Sequence, residues 1–229
     1  DIVDLTDGQT GTNVVIELKN GSQPDTRINT DFEHDSRSVS VLLLLDLSES
    51  LNDIVESTNQ TILELSQEAV SLLAWSVEQL GDNFAIAGFN SNTREQVMYY
   101  HIKGFSEHWD DTVKARLANL KAEYSTRMGA AIRHGTHYLD LQKSDKKLML
   151  ILTDGEPSDV DVEDPEMLIK DTHKAVQECQ QKGMYPYCIS LDNKADEYIS
   201  DVFGSHYSVI DRIESLPKEL PQLFLSLTK

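Results

Sequence analysis

The sequence predicts an α/β domain built on a doubly wound, mostly parallel sheet of six strands, with one antiparallel edge strand and helices on both faces. Apolar runs of strand length alternate with longer helical patterns, an order that requires crossover connections between parallel strands. The segments SVLLLLD (40–46) and KKLMLILTD (146–154) contain unbroken apolar stretches, as in strands buried on both faces. The strand patterns at 83–90 and 96–103 are separated by a short turn, which predicts an antiparallel hairpin at one edge.

The remaining elements follow from helical spacing and from glycine and proline signals. Apolar residues recur at helical spacing through 57–80, and Gly81 stands where a glycine favours the end of a helix. A helix at 165–182 has Pro165 in its first turn and Gly183 just past its end. The other helices are predicted at 107–120, 128–142, 194–202 and 215–227, and the other strands at 184–192 and 206–211.

The first 38 residues differ from the rest of the chain because they are polar and contain many turn-forming residues. The stretch VVIEL (14–18) predicts a short strand, but the segment has too few apolar residues for a core of its own. We therefore predict a polar lead-in or linker over 1–38 and one domain over 39–229. Because the sequence starts at Asp1 rather than at Met, we expect a fragment of a longer polypeptide.

The charge balance restricts the partners of the protein. Thirty-nine Asp and Glu residues against 20 Lys and Arg give a formal net charge of −19. Such a surface repels phosphate backbones and anionic lipids, so neither nucleic acid nor a membrane is an expected partner. No apolar run approaches the length of a membrane span, and the two cysteines, Cys179 and Cys188, fall in core patterns. We therefore expect a cytoplasmic protein.

Oxygen-bearing side chains gather where two predicted strands end. Asp46 ends the first strand and is followed by Ser48 and Ser50, and Asp154 ends a later strand. Thr126 lies between them in sequence, in a loop just before a predicted helix. In open parallel sheets, ligands bind beyond the carboxyl ends of the strands. These side chains are all hard oxygen donors, a set that favours Mg²⁺ or Mn²⁺ over Zn²⁺ or copper.

The charge of this set predicts how it would be used. Two carboxylates balance one divalent cation, so one coordination position can remain for water or for a carboxylate of another protein. Arg127, beside Thr126, and Glu156, in the acidic run after Asp154, are candidates for contacting that partner. The plainer alternatives are that the acids and hydroxyls cap helices and loops, that Arg127 forms surface salt bridges and that the acidic run is a solvated loop.

Three loops of the sequence resemble one known site. The segment DLSES (46–50) matches the D-x-S-x-S signature of the metal-ion-dependent adhesion site of von Willebrand factor type A (VWA) domains. The segment from Thr126 to Ala131 matches T-x-x-G-x-A, and TDG (153–155) resembles the third loop of that site. The resemblance covers about residues 39–229 and implies a doubly wound fold used for protein–protein interaction. It also implies a magnesium site made by Asp46, Ser48, Ser50, Thr126 and Asp154.

A narrower resemblance concerns the C-terminal domain of the NorD/CbbO family. It rests on the segments LLLLDLSES, YSTRMGAAIRHG and LILTDGEPSDVDVEDPEMLIKD. It implies an adaptor for a MoxR-type AAA+ ATPase of the CbbQ or NorQ kind, which the full-length protein would contact. The CbbO-like role is favoured, in which the metal site docks onto an acidic residue of Rubisco. The alternative is a NorD-like role in the maturation of nitric oxide reductase.

Two other classes of function remain open at this point. Extracellular adhesion domains use the same fold, although no signal peptide is visible and cysteines are scarce. Some phosphatases also use a strand-end Asp with Mg²⁺, but they need D-x-D, and this chain has Ser48 at the second position. Because the sequence shows no nucleophile elbow, P-loop or dinucleotide-binding glycine motif, we expect no enzymatic activity.

Overall fold

The computed structural model describes residues 2–6, 13–17, 25–28, 38–162, 164–192 and 198–228. Contacts between residues divide the chain into two compact units, 1–37 and 38–229. The first unit contains an antiparallel sheet in the order β1 (Ile2–Thr6), β2 (Asn13–Glu17) and β3 (Asp25–Ile28). The strand predicted at 14–18 corresponds to β2, whereas its two neighbours have no clear signal in the sequence.

The second unit is built on a mixed sheet of six strands. The strands of this unit, including two outside the main sheet, are β4 (Val39–Asp46), β5 (Ile54–Val55), β6 (Gln60–Thr61), β7 (Asn83–Thr93), β8 (Gln96–Lys103), β9 (Lys146–Thr153), β10 (Tyr185–Ser190) and β11 (Tyr207–Val209). β5 and β6 form a separate hairpin, and the others form one sheet in the order β11–β10–β9–β4–β7–β8. Neighbouring strands are parallel except β7 and β8. The predicted sheet with one antiparallel edge strand is therefore confirmed.

Helices cover both faces of this sheet. They are α1 (Ile62–Leu80), α2 (Asp111–Ala118), α3 (Met128–Asp140), α4 (Pro165–Gln181), α5 (Ile199–Phe203) and α6 (Leu216–Leu227). The side chains of β4 alternate between two cores, because Leu43 and Leu45 pack with α1 and α6 whereas Leu42 and Leu44 pack with α3, α4 and α5. Burial on both faces explains the unbroken apolar run of this strand.

Two predicted helices are shorter in the structure. The helix predicted at 57–80 begins at Ile62, because β5 and β6 occupy the residues before it and Thr61 caps it. The Thr61 hydroxyl accepts from the Glu64 N–H, and the Glu64 carboxylate accepts from the Thr61 N–H. The helix predicted at 107–120 spans only α2, whose first turn is capped by Asp110. For the helix predicted at 194–202, residues 193–197 lie outside the described residues.

The order of the strands reverses between β4 and β9. The chain builds outward from β4 to β7 and β8 on one side, and from β9 to β10 and β11 on the other. Leu45 pairs with Leu152, so Asp46 and Thr153 leave the sheet side by side. Ligand sites of open sheets lie at such a reversal.

Two further predictions concern the cysteines and the membrane. Cys179 in α4 and Cys188 in β10 are buried free thiols, as their core patterns predict. Within the described part of the chain, no helix is both long enough and apolar enough to cross a membrane.

Candidate metal centre

Asp46 is the buried centre of the candidate site. It is 2% exposed, and its Oδ1 accepts from the Ser48 backbone N–H at 3.0 Å. Thr126 Oγ1 lies 3.1 Å and 3.2 Å from the two carboxylate oxygens of Asp46. The first and second predicted loops therefore meet through direct contact of their side chains.

Asp154 and the two serines form the outer half of the site. Ser50 Oγ donates to Asp154 Oδ1 at 3.0 Å, and Ser48 Oγ lies 3.5 Å from the same atom. The two serine hydroxyls are 3.1 Å apart. Ser48 is buried, Asp154 is half-buried and Ser50 is exposed, so the group opens to solvent on the Ser50 side. The structure thus brings together all five side chains that the sequence singles out.

Thr153 belongs to the same network, although it is not one of the five predicted ligands. Its hydroxyl donates to Asp46 Oδ2 at 2.7 Å, and the residue is 2% exposed. In the sequence, Thr153 is the first residue of the TDG segment (153–155), which does not by itself show that its hydroxyl contacts Asp46. The parallel register of β4 and β9 is the signal that places it beside Asp46.

Burial raises the pKa of both carboxyl groups. The pKa of Asp46 rises to about 7, first because burial penalises its charged form and second because Asp154 is close, while hydrogen bonds from Thr153 and Ser48 oppose the shift. The pKa of Asp154 is also raised, chiefly by burial. A bound cation would favour the charged form of both groups.

The donor set suits a hard divalent cation. It consists of two carboxylates and three hydroxyls, without imidazole or thiolate. Among the residues that the structure describes, no group of three His, Cys, Asp or Glu side chains is placed to hold a metal ion. A cation bound here would therefore depend on hydroxyl ligands as well as on carboxylates.

The two residues predicted to contact a partner differ in their surroundings. Glu156 is exposed. The Arg127 side chain is 15% exposed, and its Nε and Nη2 donate to Asp159 and Asp161 at 2.9 Å and 3.0 Å. The salt-bridge alternative therefore describes the contacts that Arg127 makes, and a contact of either residue with a partner stays a prediction.

The fold and the position of the site define the class of domain. Residues 40–212 match the model of the von Willebrand factor type A domain, and the chain therefore belongs to the VWA domain family. Among solved structures, the PilB minor pilin from Streptococcus sanguinis is similar, with a TM-score of 0.71. The match covers 100% of this chain and 78% of that one at 14% sequence identity, so it supports the fold alone.

Two curated proteins named NorD are similar to this chain in sequence. Protein NorD of Stutzerimonas stutzeri is 33% identical over 196 residues, which cover 85% of this chain and 32% of the relative. Protein NorD of Brucella melitensis is 34% identical over 212 residues, which cover 92% of this chain and 33% of the relative. The chain thus spans about a third of the length of these relatives. Their name supports the NorD side of the resemblance seen in the sequence.

Proposed function

We propose that this VWA domain is a non-enzymatic, Mg²⁺-dependent interaction module that binds a carboxylate of a partner protein. The contact network around Asp46 and Asp154 carries the proposal, since three hydroxyls approach two carboxyl groups whose pKa values are raised. In their charged forms these groups oppose folding unless a cation compensates them. A divalent ion would therefore complete the site.

Different residues of the chain would hold the cation and orient its ligands. Asp46, Ser48, Ser50, Thr126 and Asp154 would hold the cation directly or through water, and Mn²⁺ is expected to replace Mg²⁺. The bound cation would supply a positive charge with room for one more oxygen ligand. Thr153 and the Ser48 N–H fix the orientation of Asp46, and the exposed Ser50 side leaves an approach for a partner.

We further propose that the domain acts within a cytoplasmic adaptor for a MoxR-type AAA+ ATPase, which the full-length protein would contact. The sequence motifs favour a CbbO-like role directed at Rubisco. The similarity to two NorD proteins instead favours a role in the maturation of nitric oxide reductase. In either role, a partner carboxylate would dock at the metal site.

Calorimetric titration with MgCl₂ tests the metal site. The wild-type chain is expected to bind Mg²⁺, and Asp46→Asn is expected to weaken binding by at least about tenfold. Asp111→Asn is the matched control, because it neutralises an exposed carboxylate on α2 and leaves the site unchanged. If the wild type takes up no Mg²⁺, or if Asp46→Asn binds it equally well, the proposal is wrong.

A second experiment tests the open coordination position. In the Mn²⁺-loaded chain, added acetate is expected to lower the relaxation rate of water protons, because a carboxylate replaces a metal-bound water.

Pull-down with purified nitric oxide reductase or purified Rubisco, with Mg²⁺ or with EDTA, then distinguishes the two adaptor roles. Capture of neither protein with Mg²⁺ would reject both.

A further inference from the structure

The acidic segment 156–162 pairs with the Thr126 loop of the candidate metal centre. Ser158 and Thr126 exchange two backbone hydrogen bonds of 3.0 Å, so this segment runs beside the second ligand loop. Asp159 is the next residue, and Asp161 follows two positions later. A carboxylate that the chain itself tethers within reach of the cation would have an effective concentration of about a millimolar or more. It would compete with any carboxylate that a partner offers to the cation.

Arg127 holds both carboxylates in another place. Its Nε donates to Asp159 Oδ2 at 2.9 Å, and its Nη2 donates to Asp161 Oδ1 at 3.0 Å. The Asp159 side chain is completely buried in this contact. Because Thr126 precedes Arg127, one short segment supplies both a candidate ligand and the cation that restrains the acidic segment.

Two further contacts hold the acidic segment on the edge hairpin. Ser91 Oγ donates to Asp159 Oδ2 at 3.1 Å, and the Arg94 backbone N–H donates to Asp161 Oδ2 at 3.0 Å. Both donors lie at the turn end of β7 and β8 and are neutral. Arg127 is therefore the contact that compensates the charge of the pair, whereas the hairpin fixes its position.

We propose that Arg127 is a positioning residue that keeps Asp159 and Asp161 off the bound cation, so that the open coordination position stays available to a partner carboxylate. This inference rests on the proposed metal-dependent function. It assigns Arg127 a role different from direct contact with the partner, because its donors face the chain's own acids. Without Arg127, two uncompensated carboxylates would remain on the segment that pairs with the Thr126 loop, and the segment would move to bind the cation.

Two measurements distinguish this role from a purely structural one, namely the affinity for Mn²⁺ and the number of waters on the bound ion. Arg127→Gln is expected to bind Mn²⁺ more tightly, because the chain now supplies an extra ligand. The bound Mn²⁺ should lose about one water, and acetate should no longer displace water from it. A residue that only supported the fold would weaken Mn²⁺ binding and leave the hydration of the ion unchanged.

The experiment measures Mn²⁺ affinity and water-proton relaxation in the full chain for wild type, Arg127→Gln and Arg127→Gln/Asp159→Asn/Asp161→Asn. The triple variant is expected to regain the wild-type hydration and its response to acetate. The proposal is overturned if Arg127→Gln keeps the wild-type hydration or if the triple variant fails to restore it.

Removal of Arg127 leaves the buried Asp159 carboxylate without a compensating charge, which destabilises the fold. If Arg127→Gln does not fold, Arg127→Gln/Asp159→Asn replaces it and differs from the triple variant only at Asp161. Loss of water in the double variant but not in the triple variant supports the proposal, and equal hydration in the two overturns it. Failure of the wild type itself to bind Mn²⁺ would instead reject the proposed function, so the two failures are distinguishable.

Discussion

At the scale of single residues, burial and charge oppose each other at Asp46. The end of β4 places it where only 2% of the residue is exposed. The Ser48 N–H and the Thr153 hydroxyl stabilise its charged form, but its pKa still rises to about 7. Below about pH 7, the folded chain without a cation therefore favours the protonated carboxyl group, and this preference predicts how stability depends on pH.

Asp46→Asn is expected to stabilise the metal-free chain at about pH 8. The pKa of Asp46 is raised from 3.8 to about 7 on folding, so its favourable contribution is complete below the unfolded value and is lost as pH rises through 7. Above that pH, the neutral Asn avoids the cost of a buried charge, on the order of 1–3 kcal/mol in the free energy of unfolding. Urea denaturation at about pH 5 and pH 8 in EDTA measures the difference, which should be smaller at the lower pH, where only part of the contribution has been lost.

The same variant should lose its advantage when MgCl₂ is present. The cation stabilises only the chain that retains the Asp46 carboxylate, so the order of stability at about pH 8 is expected to reverse. Asp111→Asn, on the exposed surface of α2, is the control, and its stability relative to the wild type should be the same with and without MgCl₂. An unchanged order in Mg²⁺ would contradict a cation site at Asp46.

Thr153→Val is expected to weaken Mg²⁺ binding although Thr153 is not proposed as a ligand. The substitution keeps the shape of the side chain but removes the 2.7 Å hydrogen bond to Asp46 Oδ2. Loss of a group that orients a metal ligand typically weakens metal affinity by about 10–100-fold, so the dissociation constant for Mg²⁺ should rise by at least about tenfold. Thr172→Val is the control, because its buried hydroxyl donates to Leu168 O within α4. Calorimetry that shows the same Mg²⁺ affinity for Thr153→Val and wild type would exclude this orienting role.

At the scale of elements, α3 and α4 approach each other closely at Gly129. A Cβ added at Gly129 would lie 2.3 Å from Asp171 Oδ2 and 3.2 Å from the Asp171 backbone carbonyl carbon. Arg133 holds the Asp171 carboxylate at 2.9 Å, so the side chain cannot turn away without losing this ion pair. In the T-x-x-G-x-A segment, the threonine therefore serves the candidate site and the glycine serves helix packing.

Gly129→Ala is expected to lower the free energy of unfolding by about 1–3 kcal/mol, because overpacking at the helix contact exceeds the gain in helix propensity. Gly155→Ala is the control, since nothing lies within 4 Å of its added Cβ and its effect should stay within about 0.5 kcal/mol. Chemical denaturation of the three chains measures the difference. A Gly129→Ala chain as stable as the control would show that α4 can shift to admit a methyl group.

Elements with long apolar patterns could be predicted from the sequence, whereas an element that depends on the backbone conformation of one residue could not. β4 and β9 were predictable because burial on both faces leaves them continuously apolar. The β5–β6 hairpin before α1 depends on Asn59 in the left-handed conformation, with φ 56°, which a helical pattern does not reveal.

The same limit applies to the candidate site. Its five predicted side chains follow from the strand ends and the loop motifs. Thr153 follows only from the register of two strands, and the pairing of Arg127 with Asp159 joins residues 32 positions apart. Neither contact leaves a local pattern in the sequence.

At the scale of the whole molecule, the site exists only when the sheet is assembled. Thr126 meets Asp46 across 80 positions of the chain, and Ser48 meets Asp154 across 106. The reversal of strand order between β4 and β9 brings these segments together. A cation that needs all of them binds the folded chain in preference to the unfolded chain, which couples metal binding to stability.

The net charge of −19 predicts a salt dependence for the whole chain. At about pH 8 the acidic side chains repel one another, and salt screens this repulsion over about 10 Å at 0.1 M ionic strength. Raising NaCl from about 20 mM to about 200 mM should therefore raise the Tm of the metal-free chain by several degrees. At about pH 5, close to the sequence pI of 4.6, the charge is small and the same salt should have much less effect. Thermal melts at both pH values measure the two shifts, and equal shifts would mean that salt acts through the solvent rather than through the charge of the protein.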